Sequence, residues 1–323
     1  MAITLADAKL NTQDDYDAAV IDEFRKSSAL LDSLVFDTAV NPAGGGATLS
    51  YSYRRLATQR TASFRQLNTE YTPAHVTTTK HTVDLAVLGG SYTIDRVLAH
   101  LGSATSDEIA LQTGQLIKAS NAKFCDAVVN GDIAVDANGF DGLYKALLGA
   151  STEDSTARDW SAFTDANGAM KVLDDLDELQ ALLDGPATFL IGNKAALAKT
   201  RAAARRANMY VQAPVEGLIG SNGHEVTREQ IGNLILVDAG AKDGTNDPVI
   251  PISETGTTSL YAVRVGMDGF HGVTTTTGEM MKVWLPDFET AGAVKKGEVE
   301  MGPIAPVLKA TKAAAVLRNV KVR

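Results

Sequence analysis

Histidine, cysteine and clustered carboxylates are the side chains with which a chain of this composition would do chemistry, and their spacing speaks against a reaction centre. The five histidines, His75, His81, His100, His224 and His271, are scattered, and none has a second ligand at metal spacing such as i, i+4 on a helix. His75 and His81 lie six residues apart in a segment that reads as an exposed strand, which is poor zinc geometry. Cys125 is the only cysteine, so no internal disulfide framework or cysteine-rich metal cluster can form, and its apolar neighbours give it the character of a buried, inert thiol. Gly44-Gly45-Gly46-Ala47-Thr48 lacks the Lys-Ser/Thr that a phosphate cradle needs, and it leads into a strand where the cradle should open a helix. Gly266-Met267-Asp268-Gly269-Phe270-His271-Gly272 reads as a loop between strands. Asp136, Asp141, Asp154, Asp159 and Asp165 do not reproduce the ligand spacing of a calcium loop. No nucleophile elbow occurs. Catalytic, cofactor and metal residues are therefore expected to be absent, and an α/β enzyme with a site around Gly266–Gly272 is the alternative that a substrate screen would test.

Charge carries more information. The 323 residues have a formal net charge of −9, which opposes a tight sequence-independent grip on nucleic acid. No acid occurs between Asp37 and Glu70, while Arg54, Arg55, Arg60 and Arg65 fall inside that window. Asp174, Asp175, Asp177, Glu178 and Asp184 crowd one helical stretch. With 45% hydrophobic and 21% charged residues the chain reads as folded, and no apolar run approaches the ~18 residues of a membrane span. The first residues lack the basic and apolar blocks of a secretion signal, so synthesis in a cytoplasm is expected.

The elements that must position these residues are organised around Ser103 to Asp132, a long helix expected over about 105–130. Thr105 and Glu108 stand at capping-box spacing, Ile109, Leu116, Ile117, Phe124 and Val128 recur at helical spacing, and Gly131 offers a left-handed stop. At about 1.5 Å per residue such a helix is roughly 39 Å long, a stiff beam. Before it, residues 1–46 form an amphipathic arm with Tyr16, Val20, Ile21 and Phe24 on one face, ended by Asn41-Pro42 and three glycines. From Ala47 to Tyr92 the period becomes two, which predicts a ribbon of two strands, each about 15 to 20 residues, with an Arg-bearing middle. An isolated ribbon is marginal in water, so both arm and ribbon are expected to rest on another surface. After the beam come the turn Asn138–Leu143, an acidic amphipathic helix through Val172, Leu176, Leu179 and Leu183, a strand at Thr188–Ile191, a basic helix capped by Asn193, and further strands to Val322.

This order of parts resembles the major capsid proteins of tailed bacteriophages, a shell fold also found in encapsulin compartments and herpesvirus capsid floors. The resemblance implies an α+β fold divided into an N-terminal arm (1–46), an extended β-hairpin loop (47–95), a peripheral domain with the spine helix (96–185), an axial domain (186–285) and C-terminal strands returning to the peripheral domain (286–323). It further implies self-assembly as hexamers and pentamers into an icosahedral shell around a double-stranded DNA genome, without sequence-specific DNA binding. The expected setting is a virion capsid assembled in the host cytoplasm, with a portal and separate scaffolding or decoration proteins as partners. An encapsulin-like shell around protein cargo is the alternative within the fold. Two departures stand out: 46 residues leave no room for a fused scaffolding segment, and Lys80, the only lysine between Lys26 and Lys118, matches no cross-linking pattern of that family. Tyr16, Phe24, Arg54, Arg55, Arg60 and Arg65 are the expected inter-subunit contacts, the arginines meeting Asp174, Asp175 and Glu178 of an adjacent subunit.

Overall fold

A computed structural model describes Leu30 and residues 34–38, 48–73, 75–99, 108–162, 166–219, 225–275 and 281–323. The expected contacts Tyr16 and Phe24 and the cap residue Thr105 lie outside these residues. Strands of the described chain are β1 (Phe36–Asp37), β2 (Ser50–Leu56), β3 (Thr78–Asp84), β4 (Ala86–Asp95), β5 (Glu153–Asp154), β6 (Arg158–Asp159), β7 (Phe189–Gly192), β8 (Tyr210–Ile219), β9 (Glu225–Ile231), β10 (Leu234–Asp238), β11 (Thr257–Val263), β12 (Phe270–Thr274), β13 (Met281–Trp284), β14 (Val294–Leu308) and β15 (Ala314–Lys321). They make a five-stranded sheet, an eight-stranded sheet and the isolated pair β2–β3.

The 15-residue β14 is the axis of the smaller sheet, pairing β4 antiparallel on one side and β12 and β13, end to end, on the other. Against it lies the long helix, Glu108–Asn130. Its first half runs over β4, where Leu116 approaches so closely that a Cβ on Gly90 would stand 2.6 Å from Leu116 Cδ1, and Tyr92 and Thr113 hydroxyls share a 2.8 Å hydrogen bond. Only its second half reaches the core. Phe124 and Val128 are fully buried, whereas Ile109, Leu116 and Ile117 are half-buried. The apolar stripe read from the sequence is thus a core element along its C-terminal half and a sheet cover along its N-terminal half.

Gly131 ends this helix for a reason other than the expected one. Its φ is not positive, and its N–H still donates to Ala127 O at 2.8 Å. What requires glycine is crowding: a Cβ would sit 2.3 Å from Phe140 O and 2.4 Å from Ala127 O. Gly142 closes the same knot, donating to Gly131 O at 2.8 Å, with its own Cβ position 2.6 Å from Ala127 O. Gly142→Ala is therefore expected to lose stability in the overpacking range of about 1–3 kcal/mol. Gly114→Ala, in mid-helix where an added Cβ meets nothing within 4 Å, should gain up to about 1 kcal/mol. Urea unfolding of the two variants checks the pair, and equal midpoints would refute the account.

In the middle of the eight-stranded sheet β7, the second half of β11 and the first half of β15 are buried on both faces, and there the sequence reads as unbroken apolar runs. Leu190, Leu260, Ala262, Ala315 and Leu317 face the acidic helix (Ala166–Ala181) and the basic helix (Lys194–Arg206). Ile191, Tyr261, Val263, Ala314 and Val316, one residue out of phase, join the core that contains Phe124. Asn193 caps the basic helix as expected, accepting from Ala196 N at 2.9 Å.

Sheet membership cuts across the expected division at three places. The C-terminal strand β15 pairs with β11 in the eight-stranded sheet and does not return to the smaller one. Residues 270–285, placed with the axial segment, instead supply β12 and β13 to the smaller sheet. The acidic helix, placed with the spine, packs on the larger sheet. The ribbon is also shorter than expected. β2 and β3 are seven residues each, and the chain leaves the ribbon at Leu85 to enter β14's sheet as β4. Alternation reports which face a strand residue takes but not which strand it pairs with, so this exchange of partners at Leu85 leaves no period-two signature.

Candidate functional site, the ribbon and its seat

The ribbon's register pairs Tyr51 with Val83, Tyr53 with His81 and Arg55 with Thr79. Because side chains alternate, Tyr51, Tyr53 and Arg55 share one face, and that face lies on the chain's own sheet. Tyr53 Oη donates to Leu308 O at 2.9 Å, and Arg55 Nε and Nη2 donate to Lys309 O at 2.8 Å and Leu308 O at 2.5 Å. Tyr53 stacks on His81 with ring centroids 5.6 Å apart, and the Lys309 ammonium stands 5.4 Å from the Tyr51 ring centre. Burial raises the Tyr53 phenol above its ordinary value, against the pull of Arg55. Arg55, expected at a subunit interface, thus holds the ribbon to its own chain. Its place beside the tyrosines follows from extending their alternation by one step.

Opposite this face, Arg54 is paired in register with Lys80, and both are exposed. Like charges directly across a strand pair oppose each other. Beyond the paired segment every described residue of the tip is exposed, Arg60, Arg65, Phe64, Leu67 and Tyr71 among them.

The expected acidic partners are largely engaged within the chain. Asp175 Oδ1 accepts from Arg158 Nε at 2.7 Å while its Oδ2 accepts from Trp160 Nε1 at 2.7 Å, and Glu178 Oε2 lies 2.5 Å from Arg158 Nη2. Arg158 also meets Asp154 at 2.8 Å. Asp174 is exposed. The charge run on this helix is therefore only in part a solvated face, because Arg158 on β6, twenty residues before Glu178, was invisible as its partner.

The glycine-rich stretch folds on itself. Gly269 N donates to Gly266 O and Gly266 N to Phe270 O, both at 3.0 Å, and a Cβ on Gly269 would stand 2.6 Å from Arg264 O. These glycines close a turn into β12. Among the described residues no group of three or more His, Cys, Asp or Glu is gathered to hold a metal ion, and no helix is long and apolar enough to cross a membrane.

His271, one of the scattered histidines, is the buried titratable group beneath the ribbon. It is 0% exposed, neither ring nitrogen makes a well-aligned hydrogen bond, and Tyr51 stands edge-on to it at 6.2 Å. Burial, then the charge of Lys309, pushes its pKa below the ordinary 6.5, against Asp37, the Gly269 backbone and Asp268. Above pH 6.5 the ring is neutral in the folded and unfolded chain alike. Below it the unfolded chain takes a proton that the folded chain resists, so stability falls as pH drops from 6.5 toward the depressed folded value. The limiting slope is about 1.4 kcal/mol per pH unit. Urea midpoints between pH 7.5 and 5.5 should show this loss, and His271→Phe should flatten it; an unchanged pH profile in the variant would assign the effect elsewhere.

With this geometry in view, comparison with known proteins identifies the fold. No protein-family model and no curated protein matches the chain. Solved structures do. The holo-SrpI encapsulin complex from Synechococcus elongatus PCC 7942 matches with a TM-score of 0.60 at 15% identity, over 100% of this chain and 97% of that one. The capsid of Myoviridae phage XM1 matches at 0.59 and 12%, over 98% and 99%. A chain of Mycobacterium phage Bobi matches at 0.60 and 13%, over 99% of both. The chain has the α+β fold shared by the capsid proteins of tailed phages and by encapsulin.

Proposed function

We propose that this chain is a structural shell protein whose copies assemble into an icosahedral container, and that it catalyses no reaction. The observation that carries this reading is agreement over the whole chain with both a phage capsid and an encapsulin. Uncovered surface supports it: Leu56, Phe64, Leu67, Tyr71 and Val76 of the ribbon, all exposed, find their cover in a neighbouring copy. The Arg54–Lys80 doublet calls for an anion on the ribbon's outer face, and the exposed Asp174 of an adjacent subunit suits it. Our reading is a tailed-phage capsid built of hexamers and pentamers around an axial domain, assembled in the host cytoplasm with a portal and separate scaffolding or decoration proteins. A net charge of −9 suits a wall that encloses double-stranded DNA without gripping its phosphates. The equal match to an encapsulin keeps a protein-filled shell as the second reading.

Electron microscopy of the expressed chain tests the assignment. Closed particles are expected, filled with double-stranded DNA when recovered from their native source. Particles filled with a protein cargo would select the encapsulin-like reading, and a small monodisperse oligomer with turnover in a substrate screen would overturn both.

A further inference from the structure

We propose that the base of the ribbon is an acid-released latch: protonation of the His271 ring beneath it swings β2 and β3 off the small sheet about a hinge at Leu49 and Leu85. The device belongs to the single chain and goes beyond the shell reading.

The ribbon is the loosest cover over this ring. Among the described residues β2 and β3 pair only with each other, and no backbone ladder joins them to the small sheet. Side chains hold them instead. Tyr53 and Arg55 donate to the backbone oxygens of Leu308 and Lys309, the Lys309 ammonium faces the Tyr51 ring, and Tyr51 Oη lies 3.5 Å from Asp37 Oδ2. The strand that carries His271 is far better fixed: β12 pairs with β14 along all five of its residues and with β1 at Gly272 and Val273. If one layer must yield, it is the ribbon. The hinge is marked by Leu85 N, which donates to Leu49 O at 2.8 Å, because the next residue, Ala86, already pairs with Ile304 of β14.

Charged and titratable groups face the ring from each element around it. Asp37 comes from β1, Tyr51 from β2, Lys309 from the residue after β14, and Asp268 from the turn before β12. The two carboxylates favour a proton and Lys309 opposes it, while burial, the largest influence, excludes it as long as the ribbon is closed. Lifting Tyr51 admits water, and the ring then titrates near its ordinary 6.5. Because the open form takes the proton and the closed form resists it, opening becomes more favourable below pH 6.5 by up to about tenfold per pH unit. A released two-stranded ribbon is marginal in water, so it gives up its own ladder too. His81, stacked on Tyr53 within the ribbon, is the other histidine of the latch, but it is only half-buried and its Nε2 lies 3.3 Å from Thr79 Oγ1.

Hydrogen exchange of the full chain, read by mass spectrometry and corrected for the intrinsic rate, tests the latch between pH 7.5 and 5.5. Residues 50–56 and 78–84 should lose protection about tenfold on acidification while 294–308 keep theirs. His271→Phe should abolish that loss, and His81→Gln should retain it. Tyr53→Phe, which removes one tie to Leu308, should lower the protection of the same two segments already at pH 7.5. The parent chain decides even if the core variant does not fold: no selective loss in it, or a loss shared equally by 294–308, overturns the proposal. An equal loss in His271→Phe, or unchanged protection in Tyr53→Phe, overturns it as well. A loss that disappears in His81→Gln assigns the proton to the ribbon's own histidine and also overturns it.

Discussion

Phe124→Ala should destabilise the unassembled chain by about 3–5 kcal/mol, the cost of removing a fully enclosed aromatic ring from a core that cannot collapse around the void. The ring is 0% exposed and lies between Phe36 of β1, 6.5 Å away, and Phe140 of the following turn, 6.1 Å away. Phe36 arrives in register with Gly272 of β12, where any side chain would collide with it at 2.4 Å. Phe36 and Phe140 therefore meet on this one ring, with β12 closed against Phe36, and its loss loosens the helix, the small sheet and the knot at Gly131 together. Leu116→Ala, on the half-buried part of the same helix, should cost clearly less. Urea unfolding followed by fluorescence reads both, since Trp160, 1% exposed in the core on the other face of the eight-stranded sheet, changes its surroundings when the chain unfolds. Equal losses would mean that the helix is buried evenly along its length, as its apolar stripe alone suggests.

That comparison also separates what the sequence carried from what it could not. Spacing is a local property, so the long helix, the Asn193 cap and the Tyr51–Tyr53 alternation were all legible. The partner of each face is not local. Nothing near Tyr53 signals that Leu308 and Lys309, more than 250 residues on, provide its seat. Nor does the apolar run of β15 state that it completes the sheet of β7 and β11. Runs of one charge invite the solvated-face reading because the opposing charge is remote, as it is for Asp175. Lone residues are the least legible. His271 was one of five scattered histidines until β1, β12 and the ribbon closed around it.

Arg158 provides the second large effect, and it decides between an intramolecular and an intermolecular role for the acidic helix. Its side chain is 9% exposed and meets Asp154, Asp175 and Glu178, whose side chains are 24%, 19% and 66% exposed. Replacing it by methionine keeps much of the apolar stem but leaves two sheltered carboxylates without their cation, and breaking a buried pair in this way costs about 3–5 kcal/mol. Glu178 adds little, because a pair so open to solvent is worth at most about 1 kcal/mol. The expected order of stability loss in the unassembled chain is therefore Arg158→Met well above Glu178→Gln, with Asp174→Asn within about 0.5 kcal/mol of the parent. Added salt should not restore the arginine variant, since sheltered charges are screened far less than exposed ones. Were Asp175 instead held for a neighbouring subunit, Arg158→Met would unfold with the parent while Asp175→Asn lowered particle yield. Urea midpoints of the four variants, set beside their particle yields, separate these outcomes, and the hydrogen bond from Trp160 to Asp175 predicts that the arginine variant also shifts the fluorescence of that tryptophan before unfolding begins.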